Sequence, residues 1–103
     1  MTDEELGRVL KALADPNRRR ILELLAEQEA SCSLNPSGGV NCSMVTEQMT
    51  ISQPTVSHHM KELAAANLIT MTAHGNAALL SLRHDTFDAV IAVLRERFHL
   101  SEK

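Results

Sequence analysis

Aromatic residues are nearly missing from this chain of 103 residues: there are two Phe, no Trp and no Tyr. Any core must therefore be built from Leu, Ile, Val, Ala and Met, and 44% of the residues are apolar, enough for the chain to fold. No uninterrupted apolar run approaches the roughly 18 residues that a membrane span requires. The opening MTDEEL is acidic and no apolar segment follows it, so it does not read as a signal peptide. These absences predict a cytoplasmic protein that engages no membrane. Basic charge is also scarce. Ten Lys and Arg stand against 13 Asp and Glu, a net charge of −3. That balance counts mildly against a nucleic-acid partner, although the distribution of charge matters more than its sum. The chain is acidic at MTDEEL and basic at NRRRIL, where Arg18, Arg19 and Arg20 are consecutive.

Enzyme signatures are missing too. There is no Ser/His/Asp array, no Gly-rich phosphate loop and no paired carboxylates, and His58 with Glu62 supplies at most two ligands to a metal. Only two cysteines occur, Cys32 and Cys42, with nine residues between them around a Pro-Ser-Gly-Gly turn segment. In the cytosol a permanent structural disulfide is not expected, which leaves metal binding, redox chemistry or two idle thiols. The length argues for one domain over 1–103. A chain this short buries a modest core, so partner contacts would help to stabilise it.

What is present is periodic. Leu6, Val9, Leu10 and Leu13 recur at i, i+3, i+4 and i+7, the stripe of an amphipathic helix. A second helix starts at Asp15-Pro16, a cap followed by a residue that needs no N–H at the first helical position. Ile21, Leu22, Leu24 and Leu25 give it a wide apolar face. Residues 30–42 lose periodicity and read as an inserted, Cys-bearing loop. A short helix follows from about Ser43 to Met49, then the turn Thr50-Ile51-Ser52. Ser52 is a good N-cap for the next helix, with Pro54 tolerated in its first turn. Val56, Met60 and Leu63 should face inward, and Asn67 can end the helix. The period then changes to two: Ile69, Met71 and Ala73 alternate with polar positions. Gly75-Asn76 signals a two-residue hairpin turn, and Leu80 and Leu82 share a face of the return strand. A last helix carries Phe87, Val90, Ile91, Leu94 and Phe98, more apolar surface than a monomer of this size needs. The predicted fold is mostly α with a β-hairpin wing, a winged helix-turn-helix, with its first and last helices forming a dimer surface.

The stretch MVTEQMTISQPTVSHHMKEL carries the function. Two helices joined by a three-residue turn set one against the DNA backbone and the other in the major groove. Reading base edges calls for short polar side chains at the start of the second helix. Gln53, Thr55, Ser57 and His58 meet that need, and Lys61, a turn further on, can reach a phosphate. The plainer reading is a solvated helix face opposite an apolar stripe. The run TVSHH tips the balance, because a surface helix ordinarily prefers Glu, Lys and Ala there. Arg19 and its neighbours are candidates for phosphate contacts, or for surface pairs with Asp3, Glu4 or Glu23.

LKALADPNRRRILELLAE followed by ISQPTVSHHMKELAAANLI resembles the ArsR/SmtB family of bacterial winged-helix transcriptional repressors. The resemblance runs from Leu10 to the last helix. It implies a homodimer paired through the first and last helices, bound to a palindromic double-stranded DNA operator and released by a metal, metalloid or oxidant. Its DNA contacts fall on Gln53, Thr55, Ser57 and His58. Two departures stand out. The wing tip TAHGNAALL has His74 as its only ionisable group, where family wings often carry Arg or Lys. The family's CxC metal motif before the turn is here NCSM, with Cys42 alone and Cys32 displaced upstream. A second family metal pattern, D-x-H…H-x-x-E, keeps His99 and Glu102 but has Thr86 and Asp88 in the other half. No cofactor is required. Cys32 and Cys42 are the candidate sensing pair, for thiol oxidation or for a soft metal or metalloid ion as inducer. Two competing expectations remain: a winged-helix protein-interaction module without sequence-specific DNA binding, and a repressor with idle cysteines.

Overall fold

The computed structural model describes residues 1–31, 40–74 and 77–101. Along the chain run α1 (Asp3–Leu13), α2 (Pro16–Ser31), β1 (Val40–Asn41), α3 (Cys42–Gln48), α4 (Gln53–Ala65), β2 (Ile69–His74), β3 (Ala77–Leu82) and α5 (His84–Arg97). Local chemistry sets most of these boundaries. Thr2 and Glu5 form a capping box at the start of α1. Glu5 N donates to Thr2 Oγ1 at 3.1 Å, and Thr2 N donates to Glu5 Oε1 at 2.9 Å. At the start of α2, Asp15 Oδ1 accepts from Asn17 N at 2.8 Å and Arg18 N at 3.2 Å. Pro16 follows as the first helical residue, where it forfeits no hydrogen bond.

The recognition segment is closed at both ends in the same way. Ser52 caps α4 by accepting from Thr55 N. At the other end Asn67 takes a left-handed conformation, φ 61°. Leu68 N then donates to Leu63 O and Asn67 N to Ala64 O, each at 3.0 Å. That pair of bonds is the Schellman arrangement, and Leu63 and Leu68, both fully buried, supply its apolar contact. The chain passes directly from this turn into β2.

The core is one aliphatic cluster. Leu6 and Val9 of α1, Ile21 and Leu25 of α2, Val45 of α3, and Val56, Met60 and Leu63 of α4 meet Leu68, Ile69, Leu80 and Val90. Each fully buried side chain of this kind stabilises the fold by roughly 1.5–3 kcal/mol. A single hydrogen bond contributes about 1 kcal/mol net. Three fully buried residues on α4 therefore outweigh any one polar contact in holding that helix to the body.

The hairpin pairs Ile69 with Leu82 through to His74 with Ala77, a register that leaves two residues for the turn. The turn itself, Gly75-Asn76, lies outside the described residues. One expectation needs correction at both its ends. The sequence predicts a loop over 30–42, but α2 continues to Ser31, Val40–Asn41 is a strand on the outer edge of β3, paired Val40 to Leu80 and Asn41 to Leu79, and Cys42 begins α3; residues 32–39 lie outside the described residues. The sheet order is therefore β1-β3-β2. Met71, which shares the period-two stripe of Ile69, is 41% exposed, whereas Ile69 is buried.

Asp15 supports a test of the α1–α2 corner. Burial opposes its ionisation, but the backbone hydrogen bonds from Arg18 and Asn17 outweigh it and hold the carboxyl below its ordinary value of 3.8. Such a group stabilises the fold in full well above that ordinary value, and the contribution disappears as pH falls through the lower folded value. Asp15→Ala should cost about 1 kcal/mol in urea unfolding at neutral pH. The gap between variant and wild type should close as Asp15 is protonated in acid. A gap that persists unchanged in acid would show that the carboxylate is not its source.

Candidate nucleic-acid interface

The helix-turn-helix is made of α3, residues 49–52 and α4. Met49 and Ile51 of the turn are half-buried and pack on the core, which fixes the angle at which α4 leaves the turn. Along α4 the chain presents two faces. Val56, His59, Met60 and Leu63 are buried. Gln53, Thr55, His58 and Lys61 are exposed and Ser57 is half-exposed, so the five α4 candidates lie together on the accessible part of one helix. Ser52 Oγ and Thr55 Oγ1 lie 2.8 Å apart in a hydrogen bond, which turns the Thr55 hydroxyl toward the cap. The hairpin follows directly after the helix. Opposite each other across it, Thr70 Oγ1 and Ser81 Oγ are hydrogen-bonded at 2.5 Å.

The run TVSHH does not present five polar positions to one side. Val56 and His59 point into the body, as the 3.6-residue period requires of neighbours of Met60 and Leu63. The two adjacent histidines thus have separate surroundings. His58 is outside and His59 inside, with ring centroids 6.0 Å apart.

The three arginines also separate. Arg18 Nε donates to His59 Nδ1 at 3.2 Å. Arg19 donates to the carbonyls of Leu13 and Ala14, at 2.6 and 3.1 Å, and so closes the C-terminal end of α1. Arg20 pairs with Glu23 and Glu27 on the exposed side of α2. Arg19 therefore sits at the α1–α2 corner, engaged with backbone, and not among the α4 residues. Exposed pairs like that of Arg20 contribute only about 0–1 kcal/mol, so its guanidinium is readily exchanged to another anion.

Cys42 is the first residue of α3, and Cys32 lies outside the described residues. Among the described residues no group of three or more His, Cys, Asp or Glu gathers as a metal site. Thr86, at one position of the interrupted D-x-H pattern, is buried, whereas His99 is exposed and Glu102 lies outside the described residues. Sequence reasoning passed over Glu29. Its Oε1 accepts from Leu82 N and its Oε2 meets His84 Nε2, each at 2.9 Å, tying the end of α2 to the β3–α5 junction. No local pattern announces a contact between residues 53 and 55 positions apart.

Leu10 of α1 and Ile91 of α5 are exposed, and Phe98 just beyond α5 is 67% exposed. Arg97 and Asp3 tie the end of α5 to the start of α1 at 2.6 Å. Apolar side chains expected in the stripes of the first and last helices are thus left uncovered by the single chain. No helix among the described residues is long and apolar enough to cross a membrane.

Comparison with known proteins fits this geometry. A helix-turn-helix domain family matches residues 13–72. The arsenical resistance operon repressor of Staphylococcus xylosus is 37% identical over 91 residues, covering 87% of this chain and 77% of the relative. The crystal structure of an ArsR family transcriptional regulator superposes with a TM-score of 0.78 at 25% identity, over 100% of this chain and 98% of that one. A homodimeric winged helix-turn-helix DNA-binding domain from Mycobacterium bovis shares the fold, with a TM-score of 0.67 at 20% identity, over 99% of this chain and 92% of that one.

Proposed function

We propose, from the premise that this chain belongs to the ArsR family of winged-helix transcriptional regulators, that it represses transcription as a homodimer on a palindromic DNA operator. The family's role is regulatory and not enzymatic. The observation that carries the reading is the start of α4. Gln53, Thr55, Ser57 and His58 are accessible there on a helix whose other face is locked into the core. Gln53 can bond both atoms of an adenine edge, and Ser57 and His58 can donate to bases or phosphates. Lys61 supplies a phosphate contact, and Arg19 lies further off at the α1–α2 corner. The uncovered side chains Leu10, Ile91 and Phe98 supply the dimer surface on α1 and α5. Such a protein works in the cytoplasm.

Release is read at Cys32 and Cys42. In the redox form, the two thiols give up two electrons and two protons to an oxidant such as a peroxide or sulfane sulfur, and one S–S bond forms. Cys42 is the first residue of α3. A bond to Cys32 would pull on the helix that supports α4. In the metal form, a soft metal or metalloid bridges the same sulfurs. The name of the staphylococcal relative points to arsenicals. A trivalent metalloid favours three thiolates, however, and this chain has two cysteines.

An electrophoretic shift with the DNA upstream of the gene, at low salt, tests the repressor reading. Wild-type protein should give a sequence-selective shift. Ser57→Ala with His58→Ala should weaken it by about tenfold or more, the size of one lost base-edge contact. A protein-interaction module would give no selective shift. Ile91→Glu, placed on the uncovered face, should convert a dimer to monomer in sedimentation and remove the shift; a variant that stays dimeric would move the interface elsewhere. For the inducer, mass spectrometry after peroxide or sulfane sulfur should find a Cys32–Cys42 linkage together with release from DNA. Unlinked thiols and undiminished binding after both oxidants would eliminate the redox form.

A further inference from the structure

His59 is only 7% exposed, yet it is a polar side chain in the apolar stripe of α4. Its partner is Arg18 of α2, whose Nε–H donates to His59 Nδ1 at 3.2 Å. A guanidinium only donates, so Nδ1 must present its lone pair. The bond therefore requires the imidazole tautomer with its proton on Nε2. The backbone N–H of Arg18 is held by Asp15 at the cap of α2. A directed bond thus runs from the α1–α2 corner to the middle of the recognition helix.

Apolar packing and a directed bond do different things. Val56, Met60 and Leu63 attach α4 to the body, but aliphatic contacts are non-directional and tolerate small rotations of a helix about its axis. The Arg18–His59 bond has one favourable angle. His59 is flanked by His58 on the outer face, so a rotation of α4 that breaks the bond also turns Ser57 and His58.

We propose that His59 is a positioning residue for operator recognition: neutral and bonded to Arg18, it sets the rotation of α4 that aims Ser57 and His58, and its protonation releases that setting. The proposal rests on the DNA-binding reading above. Protonation of Nδ1 removes the acceptor and brings an imidazolium against a guanidinium. The charged groups on the elements that meet here are Asp15 at the cap of α2 and Arg18 within it, Arg8 and Lys11 of α1, and His58 and Glu62 of α4. Arg8, Lys11, Arg18 and Glu62 line one groove between the three helices. Asp15 is close enough for its carboxyl to respond to a charge on His59, but it already accepts from two backbone N–H groups. Added positive charge at His59 therefore meets the Arg18 guanidinium directly, and the Asp15 carboxylate that would offset it is already engaged. Protonation of the exposed His58 acts in the opposite sense, since a cation there favours phosphate. Acid weakening of operator binding would consequently point away from the outer histidine, and the loss of that dependence in a His59 variant would assign it to the inner one.

Two variants and two readouts test the proposal. His59→Asn keeps an acceptor near the Nδ1 position without a titrating ring, and His59→Leu keeps an apolar side chain there without an acceptor. Operator affinity is measured against pH, and the Arg18 Nε–H resonance is followed by NMR in the DNA-free dimer. Wild type should lose both affinity and the protected resonance as the pH is lowered. His59→Asn should bind at neutral pH as wild type does and lose the acid dependence. His59→Leu should remain folded and dimeric while binding about tenfold more weakly, on the scale of one hydrogen bond to a charged group. Acid dependence in His59→Asn equal to that of wild type, or full affinity in a folded His59→Leu, overturns the positioning role and leaves the repressor reading intact. If wild type itself shows no selective shift, the repressor reading fails and this role falls with it. The resonance still reports, independently of DNA, whether Arg18 holds His59.

Discussion

With no Trp or Tyr to anchor it, the recognition helix is held by an aliphatic seam. Val56, Met60 and Leu63 lie fully buried against a cluster that includes Ile21 and Leu25 of α2 and Leu68 at the entry to the hairpin. Everything on the outer face depends on that seam, because Gln53, Ser57 and His58 can project a fixed pattern only from a helix that does not slide. Aliphatic side chains provide adhesion without direction. The molecule adds direction through short polar links at chosen points: the Ser52 cap, the Asn67 turn and the Arg18–His59 bond. Each is worth little beside the buried area. Each removes a freedom that buried area leaves.

The same division explains how an acidic chain can be built to meet DNA. Much of the basic cluster at 18–20 is used internally. Arg18 faces a buried histidine, Arg19 closes a helix end, and Arg20 is paired on the surface of α2. Phosphate attraction ordinarily supplies much of the salt-dependent affinity for DNA, and among the proposed α4 contacts only Lys61 is a fixed cation. The proposed contacts are otherwise neutral donors and acceptors, a chemistry suited to specificity more than to bulk attraction.

The parts of the fold that were legible in the sequence are those whose cause is local. Asp15-Pro16, Ser52 and Asn67 mark helix ends because their own side chains or backbone angles terminate the helix within a few residues. The stripe of α4 was legible because a period of 3.6 is a property of one helix. Strand β1 was not, since Val40 and Asn41 have too little sequence to declare a strand, and only their pairing with Leu80 and Leu79 makes one. The inward turn of His59 was available from its spacing to Val56 and Leu63, but a composition argument that took TVSHH as one surface obscured it. Arg19 and Glu29 bond to atoms that no short pattern points to. Leu10, Ile91 and Phe98 complete the expected stripes, yet a single chain leaves them bare, because covering them takes more surface than the chain has.

The left-handed turn at Asn67 joins the recognition helix to the hairpin through two backbone bonds and a buried leucine pair, and Arg83 N bonds back to Leu68 O beside it. These bonds couple the end of α4 to the base of the hairpin. In the proposed dimer, the distance between the two reading edges would belong to α1 and α5, and the preference for particular bases to the outer face of α4. These are separate sets of residues. On that arrangement a lineage could retune one without disturbing the other, so spacing and sequence preference would change by independent substitutions.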